Sequence, residues 1–183
     1  MLQRAALLED VPEEGAVRPA PPFDRSDPPA VLTPLVHASP HSGRLYPEAL
    51  LAASALDAAA IRRSEDAHVD ALLEGAPRSG GPLIAARYAR AYVDLNRAPY
   101  ELDPAMFEDE LPPFAQGHVV GRTARAAAGL GSIARVVAEG QEIYRRKLTF
   151  AEARERIEAV HTPYHAALER MLTTARARFG AAL

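Results

Sequence analysis

Two short apolar runs, "AVLTPLVHA" at residues 30–38 and "PLIAA" at 82–86, flank a long stretch rich in Ala and Leu. Each run is short and bounded by Pro or Gly, as buried strands are, whereas "YPEALLAASALDAAAIRRSEDAHVDALLEGA" between them has helical spacing. Pro47 suits a first helical turn, Ile61, Val69, Leu72 and Leu73 recur on one face, and Gly75 with the following "GAPRSGG" ends the pattern. Strand, helix and strand within this distance are the signature of a sheet covered by helices, so the chain is expected to be α/β. A second strand-like run spans Ala91 to Leu95.

The flanks are of different character. Residues 1–29 hold many of the sixteen prolines, as in "VRPAPPFDRSDPPA", and read as an extended, partly mobile arm preceding a domain at 30–183. "MFEDELPPFAQGHVVGRTARAAAGLGSIARVV" is broken by Gly121, Gly129 and Gly131, with a short strand expected near Ile133 to Val137. Beyond it the pattern is strongly helical. Thr149 and Glu152 have the spacing of a capping box, and Ile157, Val160, Tyr164, Leu168 and Met171 form a stripe. Pro163 is expected to interrupt that stripe and start a second helix, which Gly180 ends. The chain stops after "AAL", where an α/β pattern would begin its next strand.

Composition narrows the function classes. Apolar residues are 48% of 183, enough for one sizeable core, and the formal net charge is −3. That balance lacks the basic excess that tracks a phosphate backbone, so nucleic acid is not an expected partner. There is no cysteine, which removes disulfides, thiolate metal sites and cysteine nucleophiles and fits a reducing cytoplasm. The N-terminus has no secretory pattern and no window is long and apolar enough for a membrane span. The Ala- and Arg-rich, Trp-free composition fits a GC-rich bacterial genome.

Several residues could carry chemistry. His41 sits in "SPHSG" at the mouth of the first strand, where Ser42 and Gly43 leave room for an ion or substrate. A hydrogen-bonded turn histidine is the plainer account of a lone imidazole. Ser42 lacks the Gly-x-Ser-x-Gly setting of an exposed nucleophile. Glu65 in "RRSEDAHVD" falls on the apolar stripe of the helical pattern, where a carboxylate must be paired or bound to a cation. Asp66, one step round, shares a face with Arg62 and Asp70, and a helical Arg–Asp pair explains it. In "YVDLNR", Arg97 at a strand end could grip a carboxylate through two hydrogen bonds, with Asn96 beside it and Asp94 orienting either. A salt-bridged strand end accounts for them equally well. Tyr164 and His165 in "PYH" fit a core tyrosine and a helix-start histidine.

Taken in order, "PHSGRLYP", "RRSEDAHVD", "RAYVDLNR", "ELDPAMF", "GLGSIARVV", "IYRRKLTFAEARERI" and "TPYHAAL" resemble the N-formylglutamate amidohydrolase family over residues 31–183, most specifically in "PHSG" and "DLNR". The resemblance implies a three-layer α/β fold with a mixed sheet between helices, of the zinc-exopeptidase-like kind. It implies zinc-dependent cleavage of N-formyl-L-glutamate, or a related N-acyl amino acid, to formate and L-glutamate in histidine breakdown. His41 would be one metal ligand and Asp66 the second, with Glu65 the alternative carboxylate. Asn96 and Arg97 would hold the substrate, with Ser42 and His165 as further candidate contacts. The family continues past "FGAAL" to an Asp-x-His-Ser-Met-Pro segment that should supply a histidine ligand, and later to a general base. Neither is in these residues, and His118, His161 and His165 are the remaining stand-ins. A non-catalytic carboxylate-binding domain, or an inactive part of such an enzyme, is the alternative reading.

Overall fold

The computed structural model of the chain describes residues 21–115, 126 and 128–183. Three strands form a small mixed sheet, β1 (Phe23–Ser26), β2 (His37–Ser39) and β3 (Leu83–Ala86), in the order β1-β3-β2. The central strand β3 pairs antiparallel with β1 (Phe23 opposite Ala86) and parallel with β2 (His37 opposite Leu83). All four β3 residues are buried, which is why this segment reads as an unbroken apolar run. The expected strand at 83–86 is therefore present, and of the one expected at 30–38 only His37 and Ala38 join β2. The latter is shorter than its apolar pattern: Pro34 falls inside it, and Leu32 and Leu35 are exposed. The Pro-rich segment contributes β1, where an extended arm was expected.

On β2's other side, Val36 N–H donates to Leu183 O (2.7 Å) and Leu183 N–H donates to Pro34 O (3.0 Å). This is the hydrogen-bond pattern of a parallel pair, so residue 183 lies in register beside the strand segment.

The long helical pattern at 46–76 resolves into α1 (Glu48–Ala53), α2 (Ala58–Ile61) and α3 (Val69–Leu72), with 3₁₀ turns at Arg62–Ser64 and Ala76–Ser79. Local polar side chains and distant backbone outcompete the helix. The Asp57 carboxylate caps the N–H groups of Ala59 and Ala60 (2.9 and 2.8 Å), and Ser54 Oγ accepts from Leu56 N–H. Ala55 N–H reaches Ile143 O and Arg145 N–H reaches Ala53 O, so groups a continuous helix would use are spent on another segment. Apolar spacing survives because Leu50 and Ile61 still point into the core, at 0% and 1% exposure.

Ala91 to Leu95 is not a strand. The N–H groups of Tyr92 and Val93 both turn back to Ala89 O, and the run is apolar because Ala91, Val93 and Leu95 are enclosed on all sides. Ile133 to Val137 forms only isolated bridges, Leu130 with Ala134 and Val136 with Glu142.

The C-terminal helices are α4 (Phe150–Arg156) and α5 (Thr162–Phe179). Thr149 and Glu152 form the expected capping box. As expected, Pro163 marks the start of a second helix, lying in the first turn of α5. A wide π turn at Ile157–His161 joins α4 to α5, which accommodates a residue with no N–H to donate. Gly180 closes α5 at φ 75°, its N–H on Arg176 O. Tyr164 on α5 meets Phe23 of β1 edge to face at 6.1 Å, tying helix to sheet. Among the described residues, no helix is long and apolar enough to cross a membrane.

Gly43 shows why the turn after β2 is so spare. A Cβ there would lie 2.0 Å from Tyr88 O, because the turn crosses the 87–89 backbone, where Leu45 N–H donates to Arg87 O and Ala89 N–H donates to Leu45 O. Gly43→Ala is expected to lower the unfolding free energy by more than about 2 kcal/mol. Loss of the Thr149 cap in Thr149→Ala should cost only about 1 kcal/mol. Urea titrations of the two variants check the order.

Candidate functional site

His41 lies just beyond the end of β2, at 6% exposure, with both ring nitrogens engaged. Nε2 is 2.7 Å from Asp94 Oδ1, and Nδ1 is 3.3 Å from Asp66 Oδ2. Three segments distant in sequence meet at this imidazole. The turn holding His41 is fastened to the segment after the 3₁₀ turn by Asp66 N–H donating to His41 O (3.1 Å). Asp94 is anchored by its own N–H on Ser132 O (2.7 Å), and Ser132 Oγ donates in turn to Pro99 O.

Asp94 is the most constrained charge in the site. Its side chain is 4% exposed and accepts from Arg90 Nε (2.9 Å) and from Asn96 N–H (2.9 Å) as well as from His41. Burial alone pushes its carboxyl up. The hydrogen bond and charge of His41, the charge of Arg90 and the Asn96 N–H outweigh it and hold the group below the ordinary range. An ionised Asp94 can only accept, so Nε2 of His41 carries a proton, and Nδ1 is the nitrogen turned to Asp66. Carboxylate, imidazole and a second donor in series are the arrangement by which proteins fix a metal-binding histidine.

A metal ion fits the exposed side of this pair. Two donors, each about 2.1 Å from a tetrahedral zinc, stand about 3.4 Å apart. His41 Nδ1 and Asp66 Oδ2 are 3.3 Å apart, and Asp66 is half-exposed. Among the described residues, however, no group of three or more His, Asp and Glu is arranged around one point. The pair offers two donor atoms.

The structure separates the two candidate carboxylates. Glu65 accepts from Tyr46 Oη (2.6 Å) and from Arg62 Nε and Nη2, and its side chain is 3% exposed. The paired, buried carboxylate expected from the apolar pattern is present, but it faces Tyr46 and Arg62 while Asp66 faces His41. Burial pushes the Tyr46 hydroxyl well above its usual range, and the Glu65 hydrogen bond and charge add to the effect. Asp66 is not on a helix with Arg62 and Asp70. Asp70 pairs with Arg44, and His68 is exposed and begins α3 in the left-handed region (φ 65°).

The other candidates divide. Asn96 is exposed beside the site. Arg97 is mostly buried, its Nε without a hydrogen-bond partner and 4.0 Å from Asp94 Oδ2. The Ser42 hydroxyl is buried against Ser39 Oγ (2.7 Å). His165 is turned to the backbone, its Nε2 on Leu95 O (2.8 Å), and His161 holds Arg97 O in the same way. His118 lies outside the described residues. A cleft of about 490 Å³ opens beside Asp66 and Asp94, lined also by Arg63, Glu65, Arg90 and Leu130. A cavity of about 530 Å³ near Arg135 and Arg145 contains neither His41 nor Asp66.

Sequence reasoning gave Asp94 only an orienting role. The signal was present, since a carboxylate between Val93 and Leu95 in an enclosed run must find cations and donors.

Comparison with known proteins bears on what this arrangement is. The family model for N-formylglutamate amidohydrolase matches residues 33–183. The chain is 28% identical over 152 residues to the N-formylglutamate deformylase of Pseudomonas putida, covering 82% of this chain and 49% of that protein. The crystal structure of an N-formylglutamate amidohydrolase from Ralstonia eutropha JMP134 superposes with a TM-score of 0.79 at 39% identity, over 89% of this chain and 56% of that one. A gene product of Agrobacterium tumefaciens shares the fold at 16% identity and a TM-score of 0.56, over 88% of this chain and 53% of that one. The chain thus spans about half the length of these relatives.

Asp94→Asn removes the charge, and one of the two acceptor oxygens, on which His41 and Arg90 depend, and should destabilise the fold by about 3 kcal/mol. The wild-type chain carries the matching pH signature. Because the folded carboxyl lies below its ordinary value of 3.8, its contribution is complete above that value. It is lost as the pH falls through the folded pKa. Urea midpoints measured from pH 6 down to 2 should fall more steeply in the wild type than in Asp94→Asn.

Proposed function

The chain belongs to the N-formylglutamate amidohydrolase family, and from that premise we propose that it carries the metal-holding and carboxylate-gripping part of a hydrolase that cleaves N-formyl-L-glutamate, or a related N-acyl amino acid, to formate and the free amino acid. The observation that carries the proposal is the His41 imidazole, its Nε2–H committed to Asp94 and its Nδ1 set 3.3 Å from Asp66 Oδ2.

His41 and Asp66 would hold a zinc ion between imidazole nitrogen and carboxylate oxygen, both of which zinc accepts. When bound, such an ion polarises an amide carbonyl and acidifies a water molecule. The chain's own residues do the rest. Asp94 fixes the tautomer and direction of His41. His41 itself, then Arg90 and the Asn96 N–H, keep Asp94 ionised, so the imidazole has an acceptor behind it. Arg97, with a buried donor to spare, is the anchor for the substrate's carboxylate, and exposed Asn96 supplies an amide beside it. The role of such anchors is to convert binding into orientation of the scissile bond.

The third ligand and the general base would come from sequence outside these 183 residues. Support comes from the half-length match to the relatives. The reading places the fold among zinc-exopeptidase-like hydrolases and the activity in the bacterial cytoplasm, in histidine breakdown.

A second reading is favoured by the two-donor count. A chain with no three-ligand group among its described residues could bind small carboxylates through Arg97 without metal.

Elemental analysis of the purified chain separates the readings. Zinc added to the purified chain should bind at about one ion per chain, and that binding should be lost in His41→Ala and Asp66→Asn. Asp94→Asn should retain zinc but bind it about 10- to 100-fold more weakly. A well-folded chain without zinc, even after dialysis against it, contradicts the metal-holding role. Formate release from N-formyl-L-glutamate by the zinc-loaded chain then tests whether these residues alone complete the reaction.

A further inference from the structure

The π turn between α4 and α5 sets two histidines, His161 and His165, one above the other. Their rings stack at 4.2 Å with planes 28° apart. Each points a ring nitrogen at a backbone carbonyl of one short loop, His161 Nε2 at Arg97 O and His165 Nε2 at Leu95 O, both at 2.8 Å. A carbonyl oxygen accepts and never donates, so both rings must carry their proton on Nε2. The two carbonyls flank Asn96. The Asn96 N–H is held in turn by Asp94 Oδ1 at 2.9 Å. Three consecutive residues outside any helix or strand are thereby pinned at two carbonyls and one amide. Asn96 is left exposed, and Arg97 beside Asp94.

We propose that His161 and His165 are positioning residues, a stacked clamp on the Leu95–Arg97 loop that fixes the direction in which Asn96 and Arg97 meet a substrate carboxylate.

The arrangement is more specific than core filling requires. His161 is 5% exposed, and burial in the first place holds its ring below the ordinary imidazole range. An apolar residue would fill the same space without the cost of burying a ring that must be satisfied. Neighbouring groups do not offer the ring nitrogens another role. The edge of Tyr164 abuts His165 at 5.4 Å, and Asp94 acts on His161 only through its charge. The spacing of four residues puts both rings on one helix face. The wide turn at 157–161 ends at His161 itself, so the backbone irregularity and the clamp coincide.

The pinning of the loop stands on geometry alone, whereas its consequence for substrate rests on the amidohydrolase reading. The test separates the two. Long-range ¹H–¹⁵N spectra of the wild-type chain at alkaline pH should show both rings in the Nε2–H tautomer. An Nδ1–H tautomer in either ring overturns the clamp without any variant being made. In His161→Ala and His165→Ala, exchange of the Asn96 amide should quicken about tenfold, the worth of one buried hydrogen bond, while amides in the middle of α5 keep their protection. His161→Gln and His165→Gln place an amide N–H near the lost Nε2–H and should restore much of that protection. Unchanged Asn96 exchange in the folded Ala variants, or Gln variants no better than Ala, contradicts the proposal. Calorimetric titration with L-glutamate supplies the second readout. Weaker binding in the Ala variants, recovered in the Gln variants, is the expected result. No binding by the wild type counts against the amidohydrolase reading of Arg97, and the tautomer and exchange results still decide the clamp.

Discussion

The hydrogen bond from His41 Nε2 to Asp94 organises this molecule's chemistry. It joins the turn after β2 to a loop more than fifty residues later, and it is buried, so water cannot replace it cheaply. Neighbouring groups keep Asp94 charged and in place. Arg90 sits one helical turn back in sequence, Asn96 gives its backbone N–H, and Ser132 holds the Asp94 backbone in place. A carboxylate this enclosed would otherwise take up a proton or unfold the loop. With the charge secured, Nε2 of His41 is committed to Asp94, and Nδ1 is left facing the half-exposed Asp66.

That chain of dependence explains which parts were legible in the sequence. The apolar run at 83–86 announces a strand because β3 is buried throughout, whereas the run at 30–38 overstates one, since only His37 and Ala38 of it join β2. The helical stretch at 46–76 misleads because apolar spacing reports burial and not hydrogen bonding. Leu50 and Ile61 keep their places in the core while Asp57, Ser54 and the backbone of residues 143–145 divide the helix. The run Ala91 to Leu95 misleads for a related reason, since an enclosed turn is as apolar as a strand. The capping box at Thr149 was readable because it is wholly local.

The site was legible in part for the same reason. His41, Asp66 and Arg97 stand out through resemblance, and the structure does bring His41 and Asp66 together. Helical spacing placed Asp66 with Arg62 and Asp70, and it misplaced it because the chain leaves the helix at Glu65. Glu65, the alternative, is the carboxylate that the fold uses to hold Tyr46 and Arg62. Asp94 carries a sequence signal, as a carboxylate between Val93 and Leu95, and its burial shows what that signal means. The orientations of Ser42 and His165 depend on tertiary contacts that no short-range pattern encodes.

The account's central claim is that Asp94 fixes the proton of His41 on Nε2 so that Nδ1 is offered, with Asp66, to a metal ion. The most direct measurement is a zinc titration followed in the ¹⁵N resonances of the His41 ring. The account predicts a protonated Nε2 and a bare Nδ1 in the metal-free chain, with added zinc shifting Nδ1 and leaving Nε2 protonated. A proton on Nδ1, or a ring whose resonances do not respond to zinc, would contradict it.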